Sequence, residues 1–226
     1  LLEGVNIEKC FAVKPSGMNF ATREGKAWKA AQTKPVLTYE EMGNMVGMVT
    51  AILDNRHARD ILSTCVRRED IYTKDIEDVT CKGLIDAIGK AGKEPAIVEI
   101  KTSVDCRAEF FAKRAVSEPF HYDMQAAWYK TLCGAKVSCW IVVENHPPWD
   151  VAVYFPSLDM QRSGEAKMRK ALAIYRACRE LDRWPGAQPD PCILNVPRWY
   201  SVDSVLALAC DETKLLQDAE VPATGP

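Results

Sequence analysis

Gly83-Leu84-Ile85-Asp86 and, with its glutamate thirteen positions beyond that aspartate, Ala96-Ile97-Val98-Glu99-Ile100-Lys101 are the stretches on which the reading of this chain turns. Both read as strands, being short, apolar and β-branched, with turn residues between them. The intervening Gly89-Lys90-Ala91-Gly92-Lys93 supplies glycines for the positive φ of a tight turn, so the two strands are expected to pair antiparallel. Residues two apart on a strand share a face. Glu99 and Lys101 then point together, Val98 and Ile100 turn to the opposite, buried side, and Asp86 joins the first pair at one spot. Two carboxylates suit a hard divalent cation, and a lysine beside them can handle a water or a phosphate. The plain alternative makes Asp86 a strand-end turn residue and Glu99 one half of an ion pair on a half-solvated face. Spacing alone leaves the two readings even, although a carboxylate inside an otherwise apolar run costs free energy unless it is paired or metal-bound.

Around these strands the chain reads as mixed α/β. Residues 1–36 carry the breakers Pro15, Gly17, Gly25 and Pro35 and are expected to be irregular. Thr38, with Glu41 three residues on, forms a capping box that starts an amphipathic helix over 38–53, and a short helix bearing His57, Ala58, Ile61 and Leu62 follows. Residues 65–89 read as a β-meander. A helix is expected from about Asp105 and another over 119–133, then strands over 137–143 and 151–155. A long helix over 159–181 has Met168, Ala171, Leu172 and Tyr175 on its apolar side. This predicts a mixed central sheet flanked by helices, with a basic N-terminal segment over 1–36, a main domain over 37–200 and a tail over 201–226.

The 226 residues, 47% hydrophobic, can bury one substantial core. No run approaches the length of a membrane span, and no signal-peptide pattern opens the chain, which begins on Leu1 and reads as a trimmed or partial polypeptide. Nine scattered cysteines with no C-x-x-C pair argue against a disulfide framework and a zinc site, and for reduced thiols in a cytoplasmic protein. A net charge of −2 does not advertise a nucleic-acid binder. Local basic clusters are still compatible with a phosphate track: Arg23, Lys26, Lys29 and Lys34; Arg107, Lys113 and Arg114; and the series from Lys167 to Arg183.

Gly-x-x-Asp followed by Glu-x-Lys resembles the core of the PD-(D/E)XK nucleases, and His57 upstream with Gln125-x-x-x-Tyr129 downstream is similar to its RecB-like branch. More closely, the chain resembles RecE-type exonucleases. The carrying segments are Asn19 to Trp28, Ile97-Val98-Glu99-Ile100-Lys101-Thr102-Ser103, Tyr122-Asp123-Met124-Gln125 before Tyr129, and Trp184-Pro185 with Leu194-x-x-Pro197-Arg198-Trp199. Together they span about residues 19–200.

The resemblance implies a PD-(D/E)XK restriction-endonuclease-like core and Mg²⁺- or Mn²⁺-assisted phosphodiester hydrolysis. Asp86, Glu99, the Ile100 carbonyl and His57 would hold the ion, with His121 as the competing histidine and His146 the weakest of the three. Lys101 would orient or deprotonate the attacking water or neutralise the phosphate, Gln125 and Tyr129 would position water and backbone, and Arg23 and Lys26 would contact DNA. It further implies an exonuclease acting 5′ to 3′ on the ends of linear double-stranded DNA in phage or prophage recombination, a homo-oligomeric ring, and a single-strand-annealing recombinase as partner. Its rivals are a RecB-like nuclease of other polarity or with an iron–sulfur cluster, and a non-catalytic DNA-binding protein that keeps the fold.

Overall fold

A computed structural model describes residues 7–186 and 190–197. The N-terminal segment is more regular than its breakers imply. It holds α1 (Ile7–Cys10), β1 (Ala12–Val13), α2 (Arg23–Ala30) and β2 (Val36–Leu37), with β1 and β2 paired in parallel. Thr22 caps α2 by accepting from the Gly25 amide at 3.0 Å. Gly25 is a packing residue here, because a Cβ on it would stand 2.0 Å from the Asn19 carbonyl oxygen.

Next come α3 (Tyr39–Asp54) and α4 (Arg56–Ser63). The capping box forms as the sequence predicts. Thr38 Oγ1 accepts from Glu41 N at 3.1 Å, and Glu41 Oε2 accepts from Thr38 N at 2.7 Å. That backbone bond holds the Glu41 carboxyl below its ordinary range. Thr38→Ala is expected to lower unfolding free energy by about 1 kcal/mol; an unchanged urea midpoint would show that the box contributes nothing.

Five strands follow, β3 (Arg67–Ile76), β4 (Val79–Ala91), β5 (Glu94–Ser103), β6 (Val137–Glu144) and β7 (Val151–Tyr154), in one sheet of order β3-β4-β5-β6-β7. All neighbours are antiparallel except β5 and β6, which run parallel. A parallel step needs a crossover. It is supplied by α5 (Ala108–Val116) and α6 (Tyr122–Cys133), and α7 (Leu158–Leu181) closes the described helices. Both crossover helices start later than their composition implies. Asp105 accepts from the Arg107 amide at 2.8 Å, an Asx-type turn that keeps 105–107 out of α5. His121, in the left-handed region at φ 45°, separates α6 from the Pro119 turn. Gly89, expected in the hairpin turn, lies within β4, and the turn itself falls at Gly92 with φ 62°.

Each face of the sheet carries helices because β5 and β6 alternate apolar side chains to both sides. Val98, Cys139, Ile141 and Val143 pack with Ile52, Ala58 and Leu62 of α3 and α4. Trp140 and Val142 pack with Phe111 of α5 and Ala126 of α6. Near the far end of β4, Val79 and Cys81 meet Ala127 and Leu132 of α6 and Met168 and Leu172 of α7.

One strand changes allegiance. Ile85 packs with Ile97 and Tyr129 on the α6 side, yet Ala87, two residues on, packs with Ala58 and Val98 on the α3–α4 side. Strict alternation forbids this, so β4 rolls over at Asp86. Across from it on β3, Glu69 has φ 49°.

The chain divides into two compact units, residues 1–182 and 183–226. The elements above belong to the first; the described residues of the second carry no regular secondary structure. Arg198, Trp199 and the tail over 201–226 lie outside the described residues. Among the described residues, no helix is long and apolar enough to cross a membrane.

Candidate active site

The roll of β4 at Asp86 opens the sheet where the two carboxylates meet. Registered pairing between β4 and β5 stops at Ala87–Val98. One step further, side chains replace ladder carbonyls. Asp86 N donates to Glu99 Oε1 at 3.3 Å, and Ile100 N donates to Asp86 Oδ2 at 3.1 Å. A strand residue's N–H and C=O point to the same edge, so the Ile100 carbonyl faces the same gap. Two carboxylates and a carbonyl form an all-oxygen donor set that fits a hard divalent ion, which binds few protein ligands and keeps several waters.

Glu99 is 3% exposed and Lys101 9%, so the half-solvated ion pair allowed by spacing alone is not what the chain builds. Both point to the α6 side, which the crossover covers. Lys101 Nζ donates to Glu99 Oε2 at 2.9 Å and to Gln125 Oε1 at 2.7 Å. Burial pushes the Glu99 carboxyl above its usual range; Lys101 pulls it back, and the Asp86 charge adds to the rise. A further cation beside it would favour its ionised form.

The polar chain continues outward with a fixed direction. An ammonium only donates, so the Gln125 amide turns its oxygen to Lys101 and its nitrogen to Tyr129, whose hydroxyl accepts at 3.3 Å. The Tyr129 proton is then free to donate to something else. Burial first, and the Glu99 charge second, raise the Tyr129 phenol above its ordinary value, so it stays protonated. A cleft of about 820 Å³ opens here, lined by Gly83, His121, Gln125, Trp128, Tyr129 and Tyr175 among others.

Tyr122 is a member that reading the spacing missed. Its ring lies under the Lys101 ammonium, 4.8 Å from centroid to nitrogen. It precedes Gln125 by three residues on α6, the spacing that puts two side chains on one helix face.

The three histidines stand in different places. His57 is exposed on α4 and lines a cleft with Asn55, Asp60, Val151, Val153 and Phe155 at the β7 edge. His57 thus lines a different cleft from Gln125 and Tyr129. His121 instead stands at the start of α6 in the Gln125–Tyr129 cleft. His146 bonds two carbonyls, Pro147 O through Nδ1 and Val104 O through Nε2, each at 2.9 Å. Carbonyls only accept, so both bonds at once require the imidazolium, and they raise the His146 pKa.

The remaining expectations divide. Arg23 and Lys26 are exposed on α2 and neither lines the cleft. Part of the basic series on α7 is structural: Lys167 pairs with Asp123 at 2.8 Å, Arg176 with Glu77 at 2.8 Å, and Arg179 donates to Asp78 O at 2.7 Å. Among the described residues, no three His, Cys, Asp or Glu side chains gather to hold a metal. The described cysteines are free of disulfides.

Comparison with known proteins agrees with this architecture. No curated protein matches the chain. Among solved structures, a protein of Eubacterium rectale described as a "putative exonuclease" matches with a TM-score of 0.50 at 12% identity, over 81% of this chain and 72% of its own. That likeness is one of fold. A second structure, of the protein SSO0001, matches at 17% identity over 59% of each chain; its TM-score of 0.34 carries no argument. The family model described as a PDDEXK-like domain of unknown function (DUF3799) matches residues 2–193. With most of its length covered by that model, and its sheet and helices arranged as a PD-(D/E)XK-like core, the chain belongs to this PDDEXK-like family.

Proposed function

We propose that the chain is a divalent-metal-dependent nuclease that hydrolyses phosphodiester bonds of linear double-stranded DNA from its ends, in the 5′-to-3′ direction, within phage or prophage recombination. The observation that carries the nuclease reading is the meeting of Asp86, Glu99 and Lys101 where β4 rolls away from β5, with Glu99 buried. Direction, biological setting and the preference for ends rest on the resemblance to RecE-type exonucleases.

In this reading Asp86, Glu99 and the Ile100 carbonyl hold Mg²⁺ or Mn²⁺, which when bound lowers the pKa of a water and offsets charge on the phosphate. Glu99 and Gln125 hold the Lys101 ammonium at the edge of that set, so its remaining proton can go to the phosphate or to the attacking water. Gln125, fixed by Lys101, turns the Tyr129 hydroxyl outward as a donor to the DNA backbone. Tyr122 lies against Lys101 with its ring face and helps to hold the ammonium in place.

A ring of identical subunits around the duplex and an annealing recombinase beside it complete the proposal. Sizing with light scattering tests the ring, which a strict monomer would exclude. The function itself is tested by incubating end-labelled linear duplex and closed circular duplex with the protein in Mg²⁺ and in EDTA. Mononucleotide release from the linear form in Mg²⁺ alone is expected. Cleavage of the circle would make the protein an endonuclease, and loss of label without metal would remove the metal from the account.

A further inference from the structure

A second charged cluster sits at the start of α6, and the hydrolytic scheme above leaves it unused. Asp123 is a buried carboxylate, 1% exposed. Its Oδ2 accepts from Ser163 Oγ at 2.9 Å and from Lys167 Nζ at 2.8 Å, both on α7, and its Oδ1 accepts from the Met124 amide at 2.9 Å. The same Lys167 Nζ donates to Val116 O at 2.6 Å and stands 3.3 Å from His121 Nδ1.

Proton counting fixes the histidine. An ammonium has three protons and no lone pair. Asp123 and Val116 take two of them, and His121 Nδ1 faces the third. Lys167 stays charged because the buried Asp123 carboxylate needs its cation. His121 Nδ1 is therefore an acceptor, and a neutral imidazole whose Nδ1 accepts carries its proton on Nε2. A protonated nitrogen has no lone pair for a metal, so His121 in this setting is a donor. Its backbone, at φ 45° and ψ 47°, lies in the left-handed region.

We propose that His121 presents its Nε2–H as a hydrogen-bond donor to a base at the unpaired end of the DNA, with Lys167 and Asp123 as its positioning residues. The identity of that ligand rests on the nuclease reading; the tautomer does not. Continuity supports the assignment, because His121 lines the same cleft as Gln125 and Tyr129 of the candidate active site. Chemistry selects a base over a phosphate: the cleft is largely apolar and carries the rings of Trp128, Tyr129 and Tyr175, the kind of surface on which unstacked bases lie.

The test begins with ¹⁵N NMR of the His121 ring in the wild-type protein at pH 8, where a proton on Nε2 and an accepting Nδ1 are expected. Duplex oligonucleotides with an unpaired end are then titrated in Ca²⁺, alongside Mn²⁺ titrations without DNA. His121→Asn tolerates the left-handed backbone but ends short of the Nε2 position, and it should weaken DNA binding about tenfold. His121→Gln, whose amide N–H reaches further, should recover most of the loss. Neither variant should change Mn²⁺ affinity, and an oligonucleotide abasic at the unpaired end should show no difference between Asn and His. A proton on Nδ1, a drop in Mn²⁺ affinity, or an equal loss on the abasic oligonucleotide would overturn the proposal. A wild-type protein without DNA affinity would sink the nuclease reading and the donor role with it, while the spectrum still decides the tautomer.

Discussion

Lys101→Met is expected to lower the rate of DNA hydrolysis by about 10³-fold, the scale of losing one preorganised charged donor at a developing charge. It should also destabilise the fold by about 3 kcal/mol, because breaking a buried ion pair leaves one charge uncompensated. The side chains of Lys101 and Glu99 are 10% and 4% exposed, so water cannot take over the solvation of Glu99. The two effects separate in a double variant. Lys101→Met with Glu99→Gln removes both charges and should regain most of the lost stability in urea denaturation, with no return of activity. A single variant that melts with the wild type would mean that the pair is more solvated than its burial indicates. One that still cuts at the wild-type rate would remove Lys101 from the mechanism.

Gly164→Ala carries the second large effect. Gly164 lies where α7 crosses α6, and a Cβ there would sit 2.1 Å from the Asp123 carbonyl oxygen and 2.5 Å from its carbon. Backbone atoms cannot swing aside as a side chain can, so the helices must separate. Overpacking of this kind costs about 3 kcal/mol. The displacement falls on the start of α6, which carries His121, Tyr122 and Gln125, so DNA hydrolysis should fall together with the thermal midpoint. An unchanged midpoint would show that α6 and α7 have room to shift.

The core of the site was legible because it is local. Asp86, Glu99 and Lys101 sit on adjacent strands of one hairpin, and the period of two places the last two on one face whatever surrounds them. Gln125 and Tyr129 came from the resemblance, and their spacing of one helical turn adds only that they share a face. The capping box at Thr38 needs only three residues. What could not be read depends on distant partners. His57 lies at a fixed place on α4, but which cleft it lines follows from how α4 sits on the sheet, which no local pattern encodes. The role of His121 hangs on Lys167, forty-six residues later on α7. Gly25 read as a breaker because glycine usually is one; its actual reason, the Asn19 carbonyl against α2, is a packing contact. The roll at Asp86 left no trace either, since alternation is broken by geometry and not by composition.

Single-turnover digestion of 5′-labelled linear duplex in Mg²⁺, comparing wild type with Glu99→Gln, tests the central claim most directly. Glu99→Gln keeps the shape and removes the buried charge that Asp86 and Lys101 converge on. Release of labelled nucleotide by the wild type, abolished in EDTA and reduced at least about 10²-fold in the variant, is the predicted result. Equal digestion by both proteins, or none by a correctly folded wild type across Mg²⁺ and Mn²⁺, would contradict the claim that this pair of strands is a hydrolytic centre.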